Sequence, residues 1–330
     1  MRKTHLIVII LAMVLSCKRD PPQNYVTTFP TTPVNMGATI NSQYNDYNSA
    51  SPCRGDNTEM LFFSSNRNSH GGNFDIILKD LSILSCGGGS LSVSGGDDPV
   101  IASDYSLCLT SINTNDNQLG PYFLVGSVNN YTTSLLYATD SGGNLNINFV
   151  RDAFAAVPNI KAISYLNSTK DDAYPSISKT GSCIYFCSNR QNDFDIYKTF
   201  LNTSNSLLQN LSDTTAKTIL KDTILSSVGY DDKCPFVIGN TMVFTSNRLG
   251  GFGGFDLYYS IYTNGKWGTP VNFGSAINTS ADEYRPIVLQ INGFNNNFMI
   301  FSSNRSGGLG GFDLYYVGIT NMINWSTPTE

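Results

Sequence analysis

Three pairs of adjacent acids, Asp171-Asp172, Asp231-Asp232 and Asp282-Glu283, stand at one fixed distance ahead of a proline (Pro175, Pro235, Pro286). Paired carboxylates are what glycoside hydrolysis needs, one as acid and one as base or nucleophile. Such pairs also suit a cation or a basic partner. Their plainer role is structural, because Asp ahead of a strand caps a turn by accepting local backbone amides. Three like pairs also argue against catalysis, since acid and base need unequal surroundings. Other chemistry is sparse. Beyond residue 17 the chain holds one histidine, His70, in a glycine-rich turn. That excludes a multi-histidine metal centre and disfavours a Ser-His-Asp arrangement. No nucleophile elbow and no phosphate loop occur. No catalytic residue, metal or cofactor is expected.

The cysteines add little. Apart from Cys17 they are Cys53, Cys86, Cys108, Cys183, Cys187 and Cys234, with no C-x-x-C spacing of a zinc or redox motif. Cys183 and Cys187 lie about 13 Å apart on an extended strand, too far to bond each other. Which others pair stays open. With 14% charged residues and a net charge of −5, the chain has no basic stripe for nucleic acid.

The elements that would position the acids come from a phrase repeated four times. It reads Phe63-Ser-Ser-Asn66-Arg67…Phe74-Asp75 and Phe186-Cys-Ser-Asn189-Arg190…Phe194-Asp195. It returns as Phe244-Thr-Ser-Asn247-Arg248…Phe255-Asp256 and Phe301-Ser-Ser-Asn304-Arg305…Phe312-Asp313. Self-similarity at a long period marks stacked supersecondary units. One unit reads as a lead strand at 231–237, a strand at 242–245 and a glycine-rich turn at 247–254. A strand at 255–259 follows, then an Asn264-Gly265 hairpin and an outer strand at 267–273 that tolerates Pro270. Four strands make a propeller blade.

A fifth, degenerate unit lacks the Asn-Arg phrase. Its strands are placed after Asp97-Asp98-Pro99 and at 122–125, 134–137 and 145–149. The expected fold is all-β, a five-bladed β-propeller of four-stranded antiparallel blades, with six blades the alternative. Asn66, Arg67, Asp75, Asn189, Arg190, Asp195, Asn247, Arg248, Asp256, Asn304, Arg305 and Asp313 are read as turn staples, each Arg pairing with the Asp across its hairpin. A constellation present in almost every unit belongs to the fold before it belongs to a site. The acids Asp171, Asp172, Asp231, Asp232, Asp282 and Glu283 would ring the mouth of the central channel. The less regular stretches 149–168 and 201–223 are expected to carry specificity.

Both ends fit a ring. Thr32-Pro33-Val34-Asn35-Met36-Gly37…Ile40-Asn41 repeats Thr269-Pro270-Val271-Asn272-Phe273-Gly274…Ile277-Asn278, and Trp325 to Pro328 starts the same segment again. Head and tail would then share a blade, which removes free sheet edges. Ahead of this, Arg2, Lys3 and an apolar run from Leu6 to Leu15 make an export signal too short to span a bilayer, which takes about 20 residues. Val14-Leu15-Ser16-Cys17 resembles a bacterial lipobox, which implies a lipidated Cys17. Residues 1–17 are thus the leader, 18–30 a flexible tether and 31–330 one propeller domain.

The repeated phrase, the following Trp267-x-x-Pro270-x-Asn272 and Ile277-Asn-Thr…Asp282-Glu283-Tyr-x-Pro286 resemble the WD40-like repeat of TolB-type propellers and of envelope proteins related to OmpA. The resemblance spans most of 31–328. It implies a propeller that docks other envelope proteins, although such propellers usually have six blades. No OmpA-type peptidoglycan-binding segment follows the last repeat. The expected function is a non-catalytic interaction scaffold, an outer-membrane lipoprotein facing periplasm or cell surface, with envelope proteins as partners. The alternative is a carbohydrate-binding or glycoside-cleaving propeller that takes a glycan at the acidic ring.

Overall fold

The structure, a computed structural model, describes residues 27–52, 57–86, 90–125 and 133–323. The expectations for residues 1–17, Cys53 and Pro328 fall outside them. Five antiparallel sheets follow one another along the chain. Blade 1 runs Asp46–Ala50, Thr58–Ser65, Asp75–Cys86, Ser90–Gly96, and blade 2 runs Gln118–Val125, Thr133–Thr139, Asn146–Val150, Ile160–Ala162. Blade 3 runs Asp172–Ile177, Cys183–Gln191, Asp193–Phe200, Leu220–Lys221. Blade 4 runs Asp232–Ile238, Thr241–Ser246, Asp256–Thr263, then an outer strand broken into Lys266–Trp267 and Val271–Asn272. Blade 5 runs Glu283–Leu289, Asn297–Ser303, Asp313–Ile319. Its fourth strand is Val34–Asn35 from the other end of the chain, paired with Tyr316 and Tyr315.

This closure reproduces blade 4 atom for atom. Asn35 Nδ2 donates to Asp313 at 2.8 Å as Asn272 Nδ2 does to Asp256 at 2.8 Å. The fold is therefore the five-bladed propeller, not the six-bladed alternative. Its packed part begins before residue 31, because Phe29 is buried and stacks on Phe294 at 3.9 Å. Between blades the core is aromatic, with Phe63, Phe186, Phe244 and Phe301 fully buried on the second strands.

Blade 2 departs from the expected phase by one strand. The segment after Asp97 is not a strand but a helix, Pro99–Ile112, so residues 122–125 belong to the inner strand. Asp98 caps this helix, accepting from Val100 N at 2.8 Å and Ile101 N at 3.2 Å, and Pro99 supplies a preset first turn. The helix buries Tyr105, Cys108 and Ile112, with Tyr105 edge-on to Phe62 at 5.4 Å. The residue in the phase of Phe63 is thus Tyr137, not Phe123. The stretches 149–168 and 201–223 carry the outermost strands of blades 2 and 3, the second with the short helix Leu207–Leu211.

Candidate functional site

Each repeat arginine reaches sideways rather than across its own turn. Arg67 pairs with Asp46 and Arg190 with Asp172, both at 2.6 Å. Arg248 pairs with Asp232, and Arg305 with Glu283 at 2.9 Å. The register explains this correction. Asp46, Asp172, Asp232 and Glu283 open the inner strands directly opposite Ser65, Ser188, Ser246 and Ser303, two residues before each Arg. A neighbouring strand lies about 5 Å away, nearer than the far side of a glycine-rich loop. The turn aspartates find other partners. Asp256 and Asp313 accept two amides of their own loops, Asp195 pairs with Lys221 at 2.6 Å, and Asp75 accepts from Asn68.

Asn66, Asn189, Asn247 and Asn304 each accept the backbone amide one residue ahead of that buried acid, at Asn45, Asp171, Asp231 and Asp282. The side chains at those four positions latch the preceding blade. Asp171 takes Leu145 N, Asp231 takes Phe194 N, Asp282 takes Phe255 N and Asn45 takes Phe312 N, at 2.9–3.0 Å. The expected acidic ring thus divides. Asp172, Asp232 and Glu283 are buried and ion-paired, while Asp171, Asp231 and Asp282 are half-buried at the mouth. Burial holds Asp232 and Glu283 above the usual carboxylate range, with hydrogen bonds and the paired arginine pulling back.

What the mouth presents is mainly aromatic. Phe74, Tyr47, Phe312, Tyr284 and Phe255 follow one another around the axis, successive ring centroids 4.8–6.4 Å apart. Lys233 continues the arc, 5.2 Å from the Phe255 centroid and 4.1 Å from that of Phe194, and it pairs with Asp231 at 3.0 Å. All these side chains are half-buried. Blade 2 adds no ring, with Leu119 and Leu145 at the matching positions, and blade 3 has Ala173 beside Phe194. The latches explain why the rings converge, since each Phe follows a loop whose end is tied to the next blade.

Below the mouth the inner strands bulge at one common point. There Asn48, Gly120, Tyr174, Cys234 and Arg285 all take positive φ, between 48° and 60°. Such conformations cost about 1–3 kcal/mol for non-glycine residues and re-aim side chains. Here they aim across the axis, because the contacts join blades that are not neighbours. Asn48 Nδ2 lies 3.4 Å from Tyr174 Oη, and Arg285 Nη2 donates to Pro121 O at 3.0 Å. The Tyr174 ring fills the space that a Cβ on Gly120 would need. This plug was missed from sequence. The available signal was five different residues at one position of an otherwise regular repeat.

Thiols cluster beside it. Cys187 and Cys234 are buried, and burial pushes Cys234 up to about 12 and Cys187 higher still. Cys108, against the helix, is raised to about 11. Thiolate is the reactive form, so these groups are inert in the fold. Iodoacetamide at pH 7 is expected to leave Cys108, Cys183, Cys187 and Cys234 unmodified in the native chain and to label all four in urea, as peptide mass spectrometry would read. Native labelling of Cys234 at a free-thiol rate would contradict the raised thiol. Among the described residues no three His, Cys, Asp or Glu side chains converge as a metal centre requires, and no helix is long and apolar enough to cross a membrane. A hollow of about 340 Å³ lies at the other end of the axis, lined by Ser51, Tyr122, Ile177, Lys179, Phe236 and Leu207.

Fold and site together define a five-bladed propeller with a plugged axis and an aromatic mouth. No protein-family model and no curated protein matches the chain. Solved structures do. The endo-arabinase from Bacteroides thetaiotaomicron is 13% identical over 89% of this chain and 97% of its own, with a TM-score of 0.50. The α-L-arabinofuranosidase from Lactobacillus brevis is 10% identical over 90% and 97%, with a TM-score of 0.52. A TolB-like protein from Agrobacterium tumefaciens matches at 12% identity over 91% and 95%, with a TM-score of 0.43. These are likenesses of fold. The repeat family of the TolB resemblance has no matching family model, while the first two structures support a propeller fold. They also correct the expectation of a non-enzyme. That expectation treated the ring as a passive platform, yet the same fold serves an endo-arabinase and an arabinofuranosidase.

Proposed function

We propose that the protein is a carbohydrate-active propeller that takes a glycan at the aromatic mouth. The observation that carries this is the arc Phe74, Tyr47, Phe312, Tyr284 and Phe255, half-buried around one end of the axis. A sugar ring offers an apolar C–H face and a polar rim. Aromatic faces, with their negative quadrupole, match the first, and fixed polar groups match the second. Asp171, Asp231 and Asp282 supply such groups. In each, one oxygen takes a latch amide and the other is held by Asn189, Lys233 or Asn304, and they are the carboxylates at the mouth that glycoside chemistry would draw on. The fold shared with an endo-arabinase and an arabinofuranosidase supports a carbohydrate ligand over a protein one. The leader pattern of residues 1–17 supports an envelope location on a lipidated Cys17. A mature chain starting anywhere else would rule that anchor out.

Glycan-array binding followed by hydrolysis assays tests the reading. Tyr284→Ala is expected to weaken binding of the selected glycan at least tenfold, about 1.4 kcal/mol. Asp231→Asn and Asp282→Asn are expected to lower turnover while leaving the fold intact. Absence of any bound glycan, or binding indifferent to Tyr284→Ala, would overturn the proposal.

A further inference from the structure

Arg285 is the anomaly of the molecule. Its side chain is fully buried on the axis, its φ is +48°, and its Nε and Nη1 have no hydrogen-bond partner. The four repeat arginines each face a carboxylate, whereas among the described residues Arg285 faces none: it donates to the Pro121 carbonyl and lies 5.4 Å from the Tyr174 ring, with the Cys187 and Cys234 thiols nearby. A buried cation without a counter-charge is strongly unfavourable, and unpaired guanidinium donors add to the cost. A plug alone would be served by Met or Leu without either cost. Beside it Asn48, also fully buried and also against Tyr174, has an Oδ1 with no partner. The axis therefore holds two unused donors and an unused acceptor directly below the mouth.

We propose that Arg285 is the centre of an anion site on the propeller axis, shaped for a carboxylate delivered through the mouth. A guanidinium presents parallel N–H groups in the spacing of the two carboxylate oxygens, and a water-excluded setting strengthens that pairing. At Leu119, Leu145 and Ala173 the arc carries no ring, and the one ring of blade 3 there, Phe194, lies against Lys233. This inference rests on the carbohydrate reading and narrows it: the ligand is an acidic sugar of the uronate class, its ring on the aromatic arc and its carboxylate on Arg285. Asn48 supplies the acceptor for an adjacent sugar hydroxyl.

Calorimetric titration of the full chain at constant ionic strength tests this, with sodium galacturonate, galactose, sodium acetate and sodium chloride as probes. Galacturonate is expected to bind at least tenfold more tightly than galactose. Asn48→Asp, which builds a carboxylate into the axis, is expected to erase that preference. Arg285→Gln should do the same, with circular dichroism reporting whether it folds. Equal binding of the two sugars would overturn the uronate assignment while leaving the carbohydrate reading intact. A preference for galacturonate that survives Asn48→Asp would overturn the role of Arg285. Binding of acetate and chloride with neither sugar bound would reveal a simple anion site and sink both readings, as would no binding of any probe.

Discussion

Arg248→Ala is expected to destabilise the protein by about 3–5 kcal/mol, the loss that follows when one partner of a buried ion pair is removed. Asp232 is fully buried, and besides Arg248 it accepts from the amide of Ser227 at 2.5 Å and from the Ser246 hydroxyl. Arg248 also donates to Ser246 Oγ at 2.9 Å and to the Leu225 carbonyl at 2.6 Å, and lies over the rings of Phe244 and Tyr258. Removing it leaves a buried charge and an orphaned carbonyl together. Replacing both partners, as Asp232→Leu with Arg248→Met, is expected to recover most of the loss. The deficit should also depend on pH. Burial already holds Asp232 above its ordinary range, and losing Arg248 lifts it further. The folded variant then binds a proton more tightly than the unfolded chain. Its deficit is full above the folded pKa and shrinks as pH falls towards the unfolded value. Urea denaturation at pH 7 and pH 5 measures both effects. A loss under 1 kcal/mol would mean that the pair behaves as a solvated surface bridge.

The same pairing shows how far the sequence could be read. Blades 1, 3, 4 and 5 were legible because each must neutralise the acid that opens its inner strand, and each does so with the same Ser-Asn-Arg phrase. Blade 2 lost the phrase for a physical reason. Its inner strand opens with neutral Gln118, whose amide donates to Thr114 at 2.9 Å, so no arginine is required. The latch survives, Asn117 taking Phe74 N at 3.1 Å, and the bond behind it has its residue types exchanged: Asn117 donates its backbone amide to Asp140 at 2.8 Å, where other blades place Asn. Asp140, not a residue near Phe123, marked the true phase. The capping pair Asp98-Pro99 likewise announced a helix that the count of strands per blade had overridden. The Arg–acid pairs were missed because their partners lie 16–22 residues upstream, which only strand register brings opposite. For the axial plug the sequence offered only a position where the repeat varies, not the contacts made there. Asn48, Tyr174 and Arg285 become neighbours only once the ring has closed.

That closure supplies the second large effect. Gly310→Ala is expected to cost about 3 kcal/mol or more, at the upper end of what inserted atoms cost in packed interiors. A Cβ at Gly310 would overlap the Tyr44 carbonyl oxygen and lie 2.8 Å from its carbon and 2.9 Å from the Ser42 carbonyl oxygen. All three atoms are backbone, so no side chain can swing aside. Gly253 meets Ala281 and Thr279 carbonyls in the same way between blades 4 and 5, so the close approach belongs to the blade interface. At Gly310 the interface joins the last blade to the first. It carries Asp46 N to Phe312 O at 2.7 Å and Phe312 N to Asn45 Oδ1 at 2.9 Å. Pushing those strands apart should open the ring at its seam before the individual sheets melt. Gly142→Ala is the control, since its Cβ would have only Asn146 Nδ2 at 3.6 Å and its φ is not positive. Hydrogen exchange is expected to show the Asp46 and Phe312 amides losing protection selectively in Gly310→Ala. If instead protection falls evenly over all five blades, the seam is no weaker than the other interfaces, and ring closure by the Val34–Asn35 strand holds it as firmly as covalent continuity holds the rest.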